Sequence, residues 1–215
     1  MVGDPIVAPA SGQGAAAVAM LRLSGAGCHA LVAKVIKGFA AFEPRRLQWA
    51  KLKDPKNGDV LDEVMAVRFA SPESYTGEDA AEIHCHGGPF VVQNLLSALY
   101  GVGFRAAEPG EFTRRAFLHG KLDLTAAEGI KELAAAASHQ QWQAARQLTE
   151  GRLKAAIEAL RAKLIEASAY LEAQIDFPDE GDTAHLNLAQ VTPRVEEVKT
   201  RISALQASYD HGRVA

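Results

Sequence analysis

The sequence predicts an α+β protein in two parts, an N-terminal α/β sheet domain over residues 1–119 and an incomplete α-helical bundle over 120–215. Three observations support this. Up to about residue 120, short apolar runs alternate with helix-like stretches and glycine-rich turns, the pattern of strands layered against helices. Beyond it, apolar residues return at steps of four and three, the spacing of helices packed lengthwise. A chain of 215 residues is also too long for one minimal domain and short for two full ones.

In chain order, residues 18–23 read as a strand ending at Ser24-Gly25, and 27–36 as a helix closed by Lys37-Gly38. Residues 64–69 and 81–85 read as further strands. Helical spacing of Val91, Leu95 and Leu99 predicts a helix over 90–100 with Gly101 as its stop, and 104–107 fits another short strand. In the second part, Thr125-Ala126-Ala127-Glu128 has the form of a capping box, followed by strong helix formers over 130–138. Leu153, Ile157, Leu160, Leu164, Ala167 and Leu171 form one apolar stripe; Val191, Val195, Val198, Ile202 and Leu205 form a second. The turn-rich run from Asp176 to Asp182 connects them. Two narrow seams cannot enclose a large core, so this bundle is expected to be completed by sequence beyond residue 215 or by another chain. A freestanding hairpin is the alternative.

Composition narrows the function. A net charge of −3 supplies no general attraction for nucleic acid, so contact with RNA needs a local basic patch or a basic partner. Cys28 and Cys85 make neither a disulfide framework nor a zinc ribbon. The opening residues lack the form of a secretory signal, and no stretch reaches the ~20 apolar residues of a membrane span. A cytoplasmic protein with no membrane contact is the expectation. Neither a G-x-x-x-x-G-K-[ST] phosphate loop nor a G-x-S-x-G nucleophile motif occurs in the sequence.

Chemistry concentrates in three places. On a strand over 81–85, Glu82, His84 and His86 share one face, where a carboxylate and two imidazoles line a polar pocket more readily than an apolar core. The same trio could ligate zinc or iron in a metal-dependent hydrolase, although no second His or Cys cluster completes the set. An ordinary polar strand end is the plain reading. Gly87-Gly88 then leads into a helix. Lys121 follows the short Pro109–Gly120 segment, just before the next helix, and is placed to meet a carboxylate or carbonyl. Arg22 shares a strand face with Val18 and Met20 and needs an acidic partner. Two cations and one acid would suit a pterin with a glutamate tail. A structural, partner-docking module remains the competing reading.

Several blocks run in a recognisable order from about residue 5 to 182. They are Arg22-Leu23-Ser24-Gly25, Tyr75-Thr76-Gly77-Glu78-Asp79, Glu82-x-x-x-His86-Gly87-Gly88, Pro109-Gly110-Glu111-Phe112-Thr113-x-Arg115-Ala116-Phe117-Leu118, Gly120-Lys121-Leu122-Asp123-Leu124 and Ile175-Asp176-Phe177-Pro178. Together they resemble the MnmE (TrmE) tRNA modification GTPase family. The resemblance implies an α/β domain like the folate-binding fold of the glycine-cleavage T protein, and a helical domain interrupted by a Ras-like GTPase domain. The sequence stops about where that insertion would begin, which accounts for the unfinished bundle and the missing phosphate loop. GTP, potassium and magnesium would belong to that domain, leaving this chain without a catalytic residue or a metal site and inactive alone. The resemblance further implies a homodimer through the N-terminal domains and a bound tetrahydrofolate one-carbon donor (5-formyl- or 5,10-methylene-tetrahydrofolate). It also implies work with the FAD-containing partner MnmG on tRNA, placing a carboxymethylaminomethyl-type group on C5 of the wobble uridine. Carried over by position, the folate-contacting residues are Arg22, Glu82 and Lys121. The family's early Pro-Pro-Gly-x-Gly-Gly loop is here Gly12-Gln13-Gly14-Ala15-Ala16-Ala17, which loses two glycines and their backbone freedom.

Overall fold

Alternation of apolar and polar residues along Val18–Ser24 (β2) and Ala80–His86 (β5) places Leu21, Leu23, Ala81, Ile83 and Cys85 on one side of a sheet. The computed structural model describes residues 3–12, 14–176 and 188–213. The chain falls into two compact units, Met1–Leu122 and Asp123–Ala215. In the first, six strands form one sheet, with Ile6–Pro9 (β1), Gln48–Lys53 (β3), Val60–Phe69 (β4) and Arg105–Ala106 (β6) joining β2 and β5 in the order β3-β4-β5-β2-β1-β6. Only β1 and β6 run parallel; the remaining neighbours are antiparallel. The buried strand residues form a single core with Cys28 and Val32 of the short helix Cys28–Val32 (α1), and with Leu95, Leu99 and Val102 of Pro89–Val102 (α2). The other side of the sheet carries Val18, Met20, Arg22, Trp49, Glu82, His84 and His86, all partly or largely exposed.

The expected elements of this unit recur with shifted ends, and two strands are additional. The four-residue β1 ends in a proline, and β3 offers only Ala50 and Leu52 as buried positions among lysines, so neither has a strong period-2 signal. The helix expected over 27–36 stops at Val32. Beyond it the chain turns, so that the Val35 carbonyl takes the Lys53 amide at 2.8 Å and Ile36 bridges to Leu52. Gly87 permits a close approach of backbone to backbone. Its backbone is stitched to the early loop through Ala16 and Ala17, and a Cβ there would lie 2.4 Å from the Ala16 carbonyl oxygen. Glu111–Leu118 (α3) ends the unit.

The second unit holds Leu124–Ala135 (α4), His139–Thr149 (α5), Arg152–Asp176 (α6) and Leu188–Arg213 (α7). The expected Thr125–Glu128 capping box does not form. Asp123 is the N-cap instead, its Oδ1 accepting from the Ala126 amide at 2.9 Å and from the Thr125 hydroxyl at 2.6 Å. A carboxylate two residues upstream thus outcompetes the threonine and sets the helix start. Likewise α4 ends at Ala135, short of 138, and Ser138 caps the unforeseen α5, whose polar opening His139-Gln140-Gln141 hides its periodicity. The connection expected at Asp176–Asp182 lies outside the described residues from 177 onward, as do Gln13 and Val214-Ala215. The α6–α7 seam buries Leu160, Ala167, Val191 and Val198 but leaves Ile157, Leu164 and Ile202 more than two-fifths exposed, lining an open groove. Among the described residues, no helix is long and apolar enough to cross a membrane.

Helices α4 and α5 meet at Gly129, where a Cβ would stand 2.7 Å from Leu148 Cβ and 2.9 Å from the Thr149 amide nitrogen. Gly129→Ala gains ~1 kcal/mol of helix propensity but must push apart two helix backbones, at a cost of about 1–3 kcal/mol. Because the obstructing atoms cannot rotate away, a lowered midpoint is expected in thermal unfolding followed by far-UV circular dichroism.

Candidate functional site

Register places Arg22 of β2 directly opposite Glu82 of β5. The guanidinium donates from Nε to Glu82 Oε1 at 2.9 Å, and Nη2 lies 2.9 Å from the same oxygen. The other carboxylate oxygen, Oε2, takes no hydrogen bond from the described residues. The Tyr75 ring stands over the guanidinium, 5.3 Å from its centre, and the Tyr75 hydroxyl meets Thr113 Oγ1 of α3 at 3.0 Å. These groups enclose a hollow of about 90 Å³ lined by Arg22, Ser24, Tyr75, Thr76, Glu82 and Phe112, among others.

Behind the hollow lies a buried ionic network. Ser24 Oγ is 2.6 Å from Thr76 Oγ1 and donates to Glu78 Oε2 at 2.8 Å. Arg115, with its side chain 1% exposed, donates to Glu78 at 3.0 and 3.2 Å, to Asp4 Oδ1 at 2.9 Å and to Glu111 Oε1 at 2.9 Å. Arg105 grips Asp4 and Glu111 from the other side at 2.6 Å each. Glu111 and Arg115 stand in one of the sequence blocks above, with no role assigned to either from the sequence. The available signal was their spacing of four on one helix, at which opposite charges meet.

The Arg105 hydrogen bonds, the Glu108 amide and Arg115 hold the Glu111 carboxyl well below the usual carboxylate range, against the opposing effect of burial. Arg105 likewise lowers Asp4. A carboxyl whose folded value is depressed contributes stability above its unfolded value and loses it as the pH falls. The first unit is therefore expected to hold its stability down to about pH 4.5, the ordinary glutamate value, and to lose it progressively below. Urea unfolding across a pH series checks this, and Glu111→Gln should flatten the acid limb. The thiols are not poised as nucleophiles: burial pushes Cys85 up to about 11 and raises Cys28 as well.

Of the three residues singled out from the sequence, Arg22 and Glu82 are brought together. Lys121 lies against the loop that walls the hollow, its Nζ donating to the Pro72 carbonyl at 3.0 Å, and does not line the hollow itself. The alternation of Glu82, His84 and His86 on one face holds. Yet Glu82 is engaged by Arg22, and His86 Nδ1 lies 2.7 Å from Asp62 Oδ1, whose partner oxygen takes the His86 amide at 2.9 Å. Among the described residues no group of three His, Cys, Asp or Glu could hold a metal ion, so the hydrolase reading lacks its centre.

The fold and this site can be set beside known proteins. A family model described as "GTP-binding protein TrmE N-terminus" matches residues 5–121, and one described as "MnmE helical domain" matches 124–215. The chain belongs to the MnmE family. It is 41% identical over 209 residues to a protein of Thermotoga petrophila, covering 97% of this chain and 45% of the relative. It is 44% identical over 203 residues to one of Parvibaculum lavamentivorans, covering 94% and 46%, and 37% identical over 217 residues to one of Syntrophus aciditrophicus, covering 100% and 47%. All three relatives are named tRNA modification GTPase MnmE. The chain thus spans slightly less than half the length of these MnmE relatives.

Proposed function

We propose that this chain is the folate-binding, dimer-forming front part of a tRNA modification GTPase. The observation that carries the reading is the Arg22–Glu82 pair, which sits beside a hollow and keeps Glu82 Oε2 unclaimed by the described residues. A carboxylate so placed can accept paired N–H donors from the edge of a pteridine, while Arg22 holds it charged. Lys121, by leaving the Pro72 carbonyl, would supply a cation for the glutamate tail. The ligand class is a reduced one-carbon folate, 5-formyl- or 5,10-methylene-tetrahydrofolate.

The remaining parts of the reading follow the family. The uncovered sheet side, with Val18 and Trp49 each more than half exposed, favours a second copy of the same unit. The helical part, proposed to begin near residue 120, would be completed by segments following a GTPase domain, which would cover the open α6–α7 groove. GTP, potassium and magnesium would act in that domain, MnmG would be the FAD-dependent partner, and C5 of the tRNA wobble uridine would be the target, in the cytoplasm. Consistent with the absence of a phosphate loop from the sequence, this chain by itself should hydrolyse no GTP.

Calorimetric titration of 5-formyltetrahydrofolate into the 215-residue protein tests the central claim. Saturable binding with one ligand per chain is expected. Absence of any heat of binding would remove the folate reading and leave the structural-module alternative.

A further inference from the structure

We propose that Tyr75 is the movable wall of the Arg22–Glu82 hollow, latched in place by Thr113, and that a planar heterocycle enters by taking the place of the tyrosine ring on Arg22. The proposal deepens the folate reading and rests on it. Its starting point is size. The hollow measures about 90 Å³, whereas pockets that hold drug-sized ligands run to roughly 300–1,000 Å³. The hollow as folded is too small for such a ligand, and some wall must move.

The walls differ in how firmly they are held. Arg22, Ser24 and Glu82 stand on β2 and β5, which are laddered to each other and to β1 and β4. Moving them breaks a sheet. Thr76 is fixed from two sides, by Ser24 at 2.6 Å and by His119 Nδ1, 2.8 Å from the Thr76 carbonyl oxygen. Phe112 sits on α3 beside Glu111, which the ionic network anchors. Tyr75 is held least. Its side chain has one hydrogen bond, to Thr113, and one contact with a guanidinium face, and the residue is 38% exposed.

Swinging Tyr75 outward frees two hydroxyls that water can satisfy at once, so little is lost. It uncovers the plane of Arg22 while leaving the Arg22–Glu82 pair in place. An incoming flat ring then restores what the tyrosine ring gave up, because a guanidinium stacks on any aromatic face. The same ring edge faces the unclaimed oxygen of Glu82. Opening and binding are therefore an exchange of one ring for another, and the Thr113 bond sets how often the exchange can begin.

Stopped-flow association of 5-formyltetrahydrofolate with the 215-residue protein, Thr113→Val, Tyr75→Phe and the double variant tests this. Each single change removes the latch and leaves the ring. The association rate constant should rise ~3–10-fold in each, the weight of one exposed hydrogen bond. The double variant should gain no more than either single one, since both break the same bond. Equal rates in all four proteins, or a double effect equal to the product of the singles, would overturn the latch. If the unsubstituted protein binds no reduced folate, the folate reading falls and takes this proposal with it.

Discussion

Arg115→Met is expected to destabilise the N-terminal unit by about 3–5 kcal/mol, the range for removing one partner of a buried ion pair. Three carboxylates converge on this guanidinium, but they do not suffer equally. Asp4 and Glu111 keep Arg105, which grips both from the opposite side. Glu78 has only Arg115 as a cationic partner among the described residues, and its side chain is 9% exposed. The cost is therefore that of a stranded Glu78 charge, not the sum of three bridges. It follows that Glu78→Gln alone should be far milder, and that adding it to Arg115→Met should recover much of the loss. Denaturant unfolding followed by the fluorescence of Trp49, in a Trp142→Phe background, gives the comparison. Equal stability of Arg115→Met and the parent protein would show that the network contributes nothing.

Glu82→Gln should weaken reduced-folate binding by about 100-fold, within the range for truncating one member of a desolvated charge pair at an interface. The amide keeps the shape of the carboxylate and can still accept from Arg22. It cannot present a second acceptor oxygen to the ligand, because that position becomes an NH2 donor facing other donors. Stability should change little, by less than ~1 kcal/mol, since the Arg22 and Glu82 side chains are 31% and 21% exposed and solvent screens the pair. The separation of the two readouts is the point of the test. Calorimetric affinity within threefold of the parent would take Glu82 out of the site.

The candidate site is partly legible in the sequence. Alternation along 18–23 and 81–85 assigns Arg22 and Glu82 each to one face of its own strand, because side chains on a strand alternate whatever the strand pairs with. That the two face each other across 60 residues depends on β2 pairing with β5 in one register, and a slip by one residue would have separated them. Lys121 is a different case. Its place in a motif block points to a ligand contact, and in the fold its ammonium donates to the Pro72 carbonyl beside the hollow, a partner that no local pattern announces. Arg115 has one local signal, its spacing of four from Glu111, and that spacing does not distinguish a buried arginine from a solvated one. Its partners Asp4, Glu78 and Glu111 come from three separate segments. The capping-box pattern points to Thr125, two residues past the actual cap of α4, because Asp123 and Thr125 both qualify as caps and only the helix geometry chooses between them.

What the order of residues alone determined, then, is the two-part layout, the family, the parity of β2 and β5 and the apolar seams of α6 and α7. All of these follow from steric periods of two and 3.6 that operate over a few residues, or from blocks read along one line. What only the tertiary structure decided is which strand lies beside which, which sheet side the helices cover, where four charged segments meet around Arg115, and that Tyr75 stands over Arg22 beside the hollow. These depend on contacts between residues far apart in the chain, whose energies arise only once water has been excluded from between them.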